Sequence, residues 1–186
     1  MKYLLLPFFI CISLCAIAQD KYNHVYFDKL IAVEGSDYVV ATIENRGKVE
    51  NTKELYLLFI NTISGETTQV DFRNNAYIRK IEQVKIDELG INKLIVEAKT
   101  VSLKEGKPID YSSPTQIIIL SPDGKEKVQL TNDRLFVRTW VVNNHTGTIV
   151  IAGHYDSNNN GKYDKTDINE ILIYDLKTLQ LVTKIE

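Results

Sequence analysis

Cysteine is almost absent from this chain of 186 residues, and both cysteines, Cys11 and Cys15, lie within its first twenty positions. The rest of the chain therefore has no disulfide, no thiol nucleophile and no cysteine-based metal site. Histidine is also scarce, with three residues, and the sequence contains neither an H-E-x-x-H nor a G-x-S-x-G pattern. These absences exclude the common zinc-protease and serine-hydrolase signatures, and no catalytic residue is predicted.

A long hydrophobic run is missing as well. The most apolar stretch, residues 4–16, is too short to cross a bilayer, which takes about 20 apolar residues. It follows the positive Lys2 and precedes the small-x-small sequence Ala16-Ile17-Ala18, an arrangement typical of a secretory signal peptide. We therefore predict a signal peptide over residues 1–18, a single domain over residues 19–186, no membrane span, and a periplasmic or extracellular location.

The chain also lacks a large excess of either positive or negative charge. Without Lys2, the 22 Lys and Arg become 21 against 24 Asp and Glu, so the exported chain would carry a net charge of −3. A value this small, with both signs mixed, predicts neither nucleic-acid binding nor attraction to an anionic membrane surface. Hydrophobic residues make up 44% of the chain, which is enough for a buried core in a domain of this length.

What the sequence does contain is a repeat with a period of about 55 residues, which is typical of propeller blades, solenoids or other arrays. Short runs rich in Ile, Val, Leu and Tyr begin at Tyr38, Leu94 and Thr148, and their composition is that of buried strands. A further strand-like segment precedes each run, at residues 25–33, 77–86 and 135–142, and an apolar hairpin follows it, at residues 55–70, 116–130 and 170–185. Ser64-Gly65 and Asp123-Gly124 supply positive-φ residues for two of the hairpin turns.

The pattern predicts an all-β fold of three four-stranded antiparallel meander units, arranged like the blades of a β-propeller. The units are expected at about residues 22–72, 73–132 and 133–186. One segment, residues 77–86, is ambiguous, since its apolar residues also fit a helical stripe that reaches Leu89. We predict a strand there, because Tyr77-Ile78-Arg79 aligns with Phe136-Val137-Arg138.

Three strand and turn sequences in the second and third units carry a family resemblance. Residues 117–124 are IIILSPDG, residues 128–133 are VQLTND, and residues 171–178 are ILIYDLKT. These sequences resemble the repeat of TolB-type, WD-like β-propeller proteins. The resemblance implies a secreted bacterial protein that binds other proteins. One departure is that the family places its S-P-D-G-K turn between the first two strands of a blade, whereas here it joins the third and fourth.

Three units cannot close a ring alone, because propellers typically have about four to eight blades. An open arc of blades leaves apolar sheet faces and strand edges exposed. Three hypotheses are therefore open. Two chains pair as a homodimer into a six-bladed ring, another protein covers the open faces, or the three sheets form a compact assembly unlike a true propeller.

A candidate calcium loop lies in the third unit, where residues 156–167 are DSNNNGKYDKTD. Calcium takes about six to eight oxygen ligands, and the EF-hand loop supplies them from positions 1, 3, 5, 7, 9 and 12, with a glycine at 6. Gly161 occupies position 6 here. The predicted ligands are Asp156, Asn158, Asn160, the carbonyl of Lys162, Asp164 and Asp167. Asp at position 12 is similar to dockerin-type loops, although strands rather than helices flank this loop.

The corresponding loops of the other two units differ. Residues 44–53 and residues 100–114 lack the ligand spacing and contain Lys or Arg, so one site at most is expected. The ion is therefore predicted to be structural Ca²⁺ that stiffens one long loop, rather than part of an active centre shared by the units.

Three hypotheses for function follow, and the sequence favours the first. It is a secreted or periplasmic, non-enzymatic interaction module with one structural calcium loop. The second is glycan binding through Trp140, Tyr155 and Tyr163. The third is a hydrolase or lyase that acts at the calcium centre, near Asp164 and Asp167.

Overall fold

The fold consists of β-strands joined by hairpins and loops. A computed structural model of the chain describes residues 24–46, 53–73, 76–162 and 164–186, and the predicted signal peptide lies outside these ranges. The described residues form twelve strands and one 3₁₀ helix. In chain order the strands are β1 His24–Ala32, β2 Tyr38–Arg46, β3 Lys53–Asn61, β4 Thr67–Asp71, β5 Tyr77–Ile86, β6 Ile91–Lys99, β7 Gln116–Leu120, β8 Lys127–Gln129, β9 Leu135–Asn143, β10 Thr148–Tyr155, β11 Ile168–Asp175 and β12 Leu181–Ile185, and the 3₁₀ helix is Asp87–Leu89.

The strands form three four-stranded sheets. Sheet 1 has the order β1-β2-β3-β4, sheet 2 the order β5-β6-β7-β8, and sheet 3 the order β9-β10-β11-β12. Every neighbouring pair is antiparallel, so each sheet is a meander of consecutive strands. The prediction of an all-β fold with three four-stranded antiparallel units is confirmed. Within the described ranges, no helix has the length and apolar character needed to cross a membrane.

Sheet 2 lies between the other two sheets, and both of its faces are buried. On one face Val96 of β6 belongs to a cluster with Leu57 and Phe59 of sheet 1. On the other face Ile95 of β6 belongs to a cluster with Ile151 of sheet 3. Successive side chains of a strand point to opposite faces, so a strand covered on both sides is apolar throughout. Strand β7, with the sequence QIIIL, is buried at every position for this reason. Sheets stacked face to face in chain order are arranged like neighbouring propeller blades.

The ambiguous segment is strand β5, and the 3₁₀ helix follows it. Ile78 and Ile81 both pack toward sheet 1, although they are three residues apart. They share a face because the pairing of β5 with β6 shifts between them and leaves Arg79 in a β-bulge. The extra residue of the bulge therefore produces the i, i+3 spacing that resembles a helical stripe.

Each sheet has such a bulge in its first strand. The residues left out of the strand pairing are Asp28 in β1, Arg79 in β5 and Arg138 in β9. These three strands are edge strands, and bulges twist an edge away from pairing with other chains. The shared position of the bulges shows that the units repeat in backbone geometry as well as in composition.

The turn between β7 and β8 packs against sheet 1. Gly124 lies in this turn with a φ of 74°, and a Cβ placed on it would lie 2.5 Å from Cδ2 of Phe59. The equivalent turn between β3 and β4 contains Gly65 with a φ of 76°, and nothing lies within 4 Å of its Cβ position. The third hairpin places Leu179 at a φ of 59°, so this turn uses a positive φ without glycine.

Gly124→Ala should therefore destabilise the fold more than Gly65→Ala. Both substitutions force alanine into the left-handed region, which costs about 1 to 2 kcal/mol. Gly124→Ala also pushes a methyl group into Phe59, which adds about 1 to 3 kcal/mol of overpacking. Urea unfolding followed by circular dichroism measures both variants. Equal losses of unfolding free energy would show that the Gly124 turn does not pack against sheet 1.

Candidate metal centre

The candidate calcium loop connects β10 to β11 at one end of sheet 3. The loop begins at Asp156, whose N–H donates to the Arg134 carbonyl oxygen at 3.1 Å. The Arg134 guanidinium in turn donates to the Asp156 carbonyl oxygen. These two contacts hold the first residue of the loop against the chain segment that leads into β9, so Asp156 belongs to the rigid end of the sheet.

The Asp156 carboxylate organises the first half of the loop. It is fully buried, and its two oxygens accept hydrogen bonds from successive backbone N–H groups. Oδ1 accepts from Asn160 at 3.1 Å and Oδ2 accepts from Gly161 at 2.9 Å. Gly161 has a φ of 69° and Asn159 a φ of 60°, which lets the chain turn sharply around the carboxylate. The glycine at position 6 thus allows the sharp turn of the chain at this point.

Asp167 closes the loop from the other end. It is also buried, and its Oδ1 accepts from the Ser157 N–H at 3.2 Å. Its Oδ2 accepts from the Asp164 N–H at 2.9 Å. The carboxylate therefore ties the first and last quarters of the loop together, through residues that are ten and three positions away in the sequence.

The Asp164 carboxylate accepts hydrogen bonds from two amide side chains of the loop. Its Oδ2 accepts from Asn158 Nδ2 at 2.8 Å and from Asn160 Nδ2 at 2.6 Å. Its Oδ1 accepts from both the hydroxyl and the N–H of Thr166. These hydrogen bonds, those from Thr166 foremost, hold the pKa of the Asp164 carboxyl well below its usual range. The structure thus brings the predicted ligands Asn158, Asn160 and Asp164 into direct contact.

The side chains of the loop are of the types that bind calcium, but two of them would have to change orientation to hold the ion. The five side chains offer carboxylate and amide oxygens, which are the ligands of a hard cation. In the described part of the chain, no group of three or more His, Cys, Asp and Glu side chains is placed as metal ligands. The amides of Asn158 and Asn160 present nitrogen to Asp164, and Asn160 Oδ1 accepts from the Lys162 N–H at 2.8 Å. Both amides would have to turn their oxygens inward to hold a cation.

The loop also contacts its counterpart in the second unit. The Cβ position of Gly161 lies 3.6 Å from Leu103 and 3.7 Å from Lys104. The second loop has its own internal bonds, since Lys104 donates to the Ser112 hydroxyl at 2.6 Å and Ser112 donates to Asp110. This contact between two loops was not predictable from the sequence, because residues some 57 positions apart carry no shared motif that would connect them.

His154 lies directly before the loop. It is buried, and its ring stacks on Phe136 with centroids 4.8 Å apart. Burial and the positive charge of Arg138 lower the pKa of His154, while Asp167 and Asp156 act in the opposite direction. The imidazole is therefore neutral at pH 7 and serves as a packed aromatic ring behind the loop.

The aromatic residues considered for glycan binding lie in a different environment. Trp140 and Tyr155 both pack against the core between sheets 2 and 3. Lys80 Nζ lies 4.7 Å from the centroid of the Trp140 ring, and the Arg134 guanidinium lies 5.0 Å from that of Tyr155. One face of each ring is therefore covered by a cation. Tyr163 lies outside the described residues.

Comparisons with known proteins do not give a family. The chain matches no protein-family model, and no curated protein matches it significantly. Among solved structures it is similar to the Pyrococcus horikoshii acylaminoacyl peptidase, with 8% identity and a TM-score of 0.47 over 87% of this chain and 25% of that chain. It is also similar to a mutant Synechocystis apocarotenoid oxygenase, with 15% identity and a TM-score of 0.36 over 80% of this chain and 35% of that chain. Both of these proteins are named as enzymes. This chain spans about a quarter of the first and about a third of the second, and a structural likeness this low says nothing about activity either way.

The structure predicts that Asp156→Asn destabilises the protein even without an ion. Asparagine keeps one accepting oxygen and sets an NH₂ group against a backbone N–H, so a buried hydrogen bond is lost at a cost of about 1 to 3 kcal/mol. Asp110→Asn is the matched control, because the exposed Asp110 accepts from Ser112 and Ser113 through Oδ1, and its Oδ2 has only a surface ion pair with Lys104 at 3.8 Å. That change should stay within about 0.5 kcal/mol. Equal effects in chemical denaturation would contradict the anchoring role of Asp156.

Proposed function

We propose that this protein is an exported, non-enzymatic interaction module of the propeller-repeat type, with one structural calcium ion in the loop at residues 156–167. The observation that carries the proposal is the unequal covering of the three sheets. Sheet 2 is buried on both faces, whereas sheets 1 and 3 each present exposed large hydrophobic residues, among them Leu30 and Val141. Large apolar surface of this kind marks a site where another molecule docks.

The calcium part of the proposal is supported by the buried carboxylates. Asp156 and Asp167 are both buried at the start and the end of the loop. Burying ionised carboxylates is unfavourable unless hydrogen bonds and an opposite charge compensate. The backbone N–H groups supply the hydrogen bonds, and compensating positive charge is what a bound calcium ion would supply. Asp156, Asn158, Asn160, the Lys162 carbonyl, Asp164 and Asp167 would hold it.

The role of the ion would be to stabilise the loop in one arrangement. The loop packs against the second unit at Leu103 and Lys104, so its order affects the neighbouring loop as well. An ion that binds only the folded loop stabilises it by mass action. The aspartate at position 12 supports a loop of the dockerin type, carried on a different fold because strands rather than helices flank it.

The enzyme and glycan hypotheses receive less support from the described residues. Asp164 is surrounded by the amides of Asn158 and Asn160 and by Thr166, none of which is a general base. The rings of Trp140 and Tyr155 each have a face covered by a cation. An apolar contact with a protein is the function that uses the exposed faces, and the small net charge of the chain does not oppose such a contact.

Calcium titration tests the ion site. Isothermal calorimetry should give one site with a Kd of about 10⁻⁴ to 10⁻³ M, the range of extracellular calcium modules. At a free calcium concentration ten times the Kd, the folded state should gain about 1.4 kcal/mol, and the melting temperature should rise. A wild-type protein with no heat of binding and no change in melting temperature at millimolar calcium would rule out the site.

Two neighbouring asparagines provide the variant and its control. Asn158→Ala removes a predicted ligand and should weaken calcium binding by at least about tenfold, roughly 1.4 kcal/mol. Asn159→Gly changes a residue at a non-ligand position with a φ of 60°, where glycine is favourable, so binding should persist. Equal loss in both variants would show that the effect comes from loop disorder rather than from ligation.

A further inference from the structure

The outer face of sheet 1, on the side away from sheet 2, is apolar across three strands. Leu30 of β1 pairs with Ala41 of β2, and Phe27 pairs with Ile43, so these residues share a face. Val40, on the opposite face, belongs to the core with sheet 2. Phe27 is 66% exposed and Leu30 is 67% exposed. The fourth strand presents polar residues on this face, since Leu58 pairs with Gln69 and Tyr56 pairs with Asp71.

The outer face of sheet 3, on the side away from sheet 2, has a similar composition. Val141 of β9 pairs with Val150 of β10, which in turn pairs with Ile173 of β11. Ile171 lies on the same face and pairs with Ile185 of β12. Val141 is 61% exposed and Ile185 is 51% exposed. The inner face, by contrast, contains Ile149 and Ile151, which are fully buried against sheet 2.

The two outer faces are counterparts of faces that this chain already buries. The side of sheet 1 that points away from sheet 2 corresponds to the side of sheet 2 that points away from sheet 3. That side of sheet 2, with Leu94 and Val96, is covered by sheet 1. The outer side of sheet 3 corresponds in the same way to the side of sheet 2 with Ile95 and Ile119, which sheet 3 covers.

The polar fourth strand on the outer face of sheet 1 has a counterpart in sheet 2. Sheet 2 places Lys127 of β8 opposite Leu120, a residue of the face that sheet 1 covers. Sheet 1 places Gln69 of β4 opposite Leu58 on its outer face. An apolar surface over three strands with a polar fourth strand is therefore the pattern of a face that packs on another sheet in this fold. The outer face of sheet 1 has this pattern, and Phe27 and Leu30 on its first strand are exposed, whereas Ala41 and Ile43 on its second strand are buried.

We propose that the outer face of sheet 1 binds the outer face of sheet 3 of a second copy of this chain. The contact continues the packing of sheet 1 on sheet 2 and of sheet 2 on sheet 3. Two copies joined in this way stack six sheets, and two-fold symmetry makes the contact occur twice, so the assembly closes. This inference rests on the proposed interaction function and names its partner; it does not depend on calcium.

A second copy fits these faces better than an unrelated partner for a physical reason. Sheets pack aligned at a separation of about 10 Å when their twists match, and sheets built from the same repeated unit have the same twist. The bulges at Asp28, Arg79 and Arg138 lie at the same place in all three sheets, which gives the three sheets the same local geometry. Sheet 3 of a second copy would therefore meet sheet 1 with the geometry of the internal contacts.

Light scattering coupled to size-exclusion chromatography of the exported, signal-free protein tests the inference. The expected mass is that of two copies. Leu30→Glu and Val141→Glu should each raise the dimer dissociation constant by at least about a hundredfold, because each buries an unpaired carboxylate in both contacts. Both residues are exposed in the single copy, so circular dichroism should show that the variants remain folded. Ile63→Glu, at an exposed hairpin residue away from both faces, is the control and should remain dimeric.

Cross-linking identifies which faces meet. Both native cysteines lie in the predicted signal peptide, so cysteines can be introduced singly. A mixture of Leu30→Cys and Val141→Cys proteins should cross-link with a short bis-maleimide, and neither protein alone should do so. Cross-linking of one variant alone would show that like faces meet, and it would overturn the proposal.

A single-copy mass, or an open series of larger masses, would also overturn the proposal. So would a dimer that both glutamate variants leave intact. None of these results affects the calcium titration. A single-copy mass would also leave another protein as the occupant of the faces, so failure of the dimer and failure of the interaction function are distinguishable.

Discussion

The burial of both faces of sheet 2 is the constraint on which the rest of the structure depends. Strands β6 and β7 place side chains alternately toward sheet 1 and sheet 3, and both sets include fully buried residues. The hydrophobic effect acts on two interfaces at once through these strands. Sheets 1 and 3 each pack on sheet 2 through one face, so the order of the stack and the positions of the loops follow from the middle sheet.

The loop at residues 156–167 is organised by side chains that bind its own backbone. Asp156 accepts from the turn at Gly161, and Asp167 accepts from Ser157 and Asp164. Such local hydrogen bonds compete with the strand ladder and favour a turn. The loop therefore has a defined shape before any ligand is considered. Its position next to the loop of the second unit extends that order across two sheets.

The spacing of the side chains predicted much of this loop, and the fold explains the part that it did not predict. The spacing of oxygen-bearing residues predicted a ligand set from Asp156 to Asp167, and the structure brings Asn158, Asn160 and Asp164 of that set into contact, because a twelve-residue loop is short enough for local chemistry to dominate. The contact of Gly161 with Leu103 was not predictable. It depends on how two sheets stack, and no periodicity within either loop records that. For the same reason, the cations over Trp140 and Tyr155 could not be predicted from β9 and β10 alone.

The sequence by itself determined the strands, the repeat and the candidate loop. Alternation of side chains, turn residues and composition are local properties, and they act within one unit at a time. Tertiary structure alone decided that Ile78 and Ile81 share a face, because a bulge is a property of strand pairing. It also decided which faces are covered. Leu30 and Leu94 are equally apolar in the sequence, yet one is exposed and the other buried, since burial depends on whether a neighbouring sheet is present.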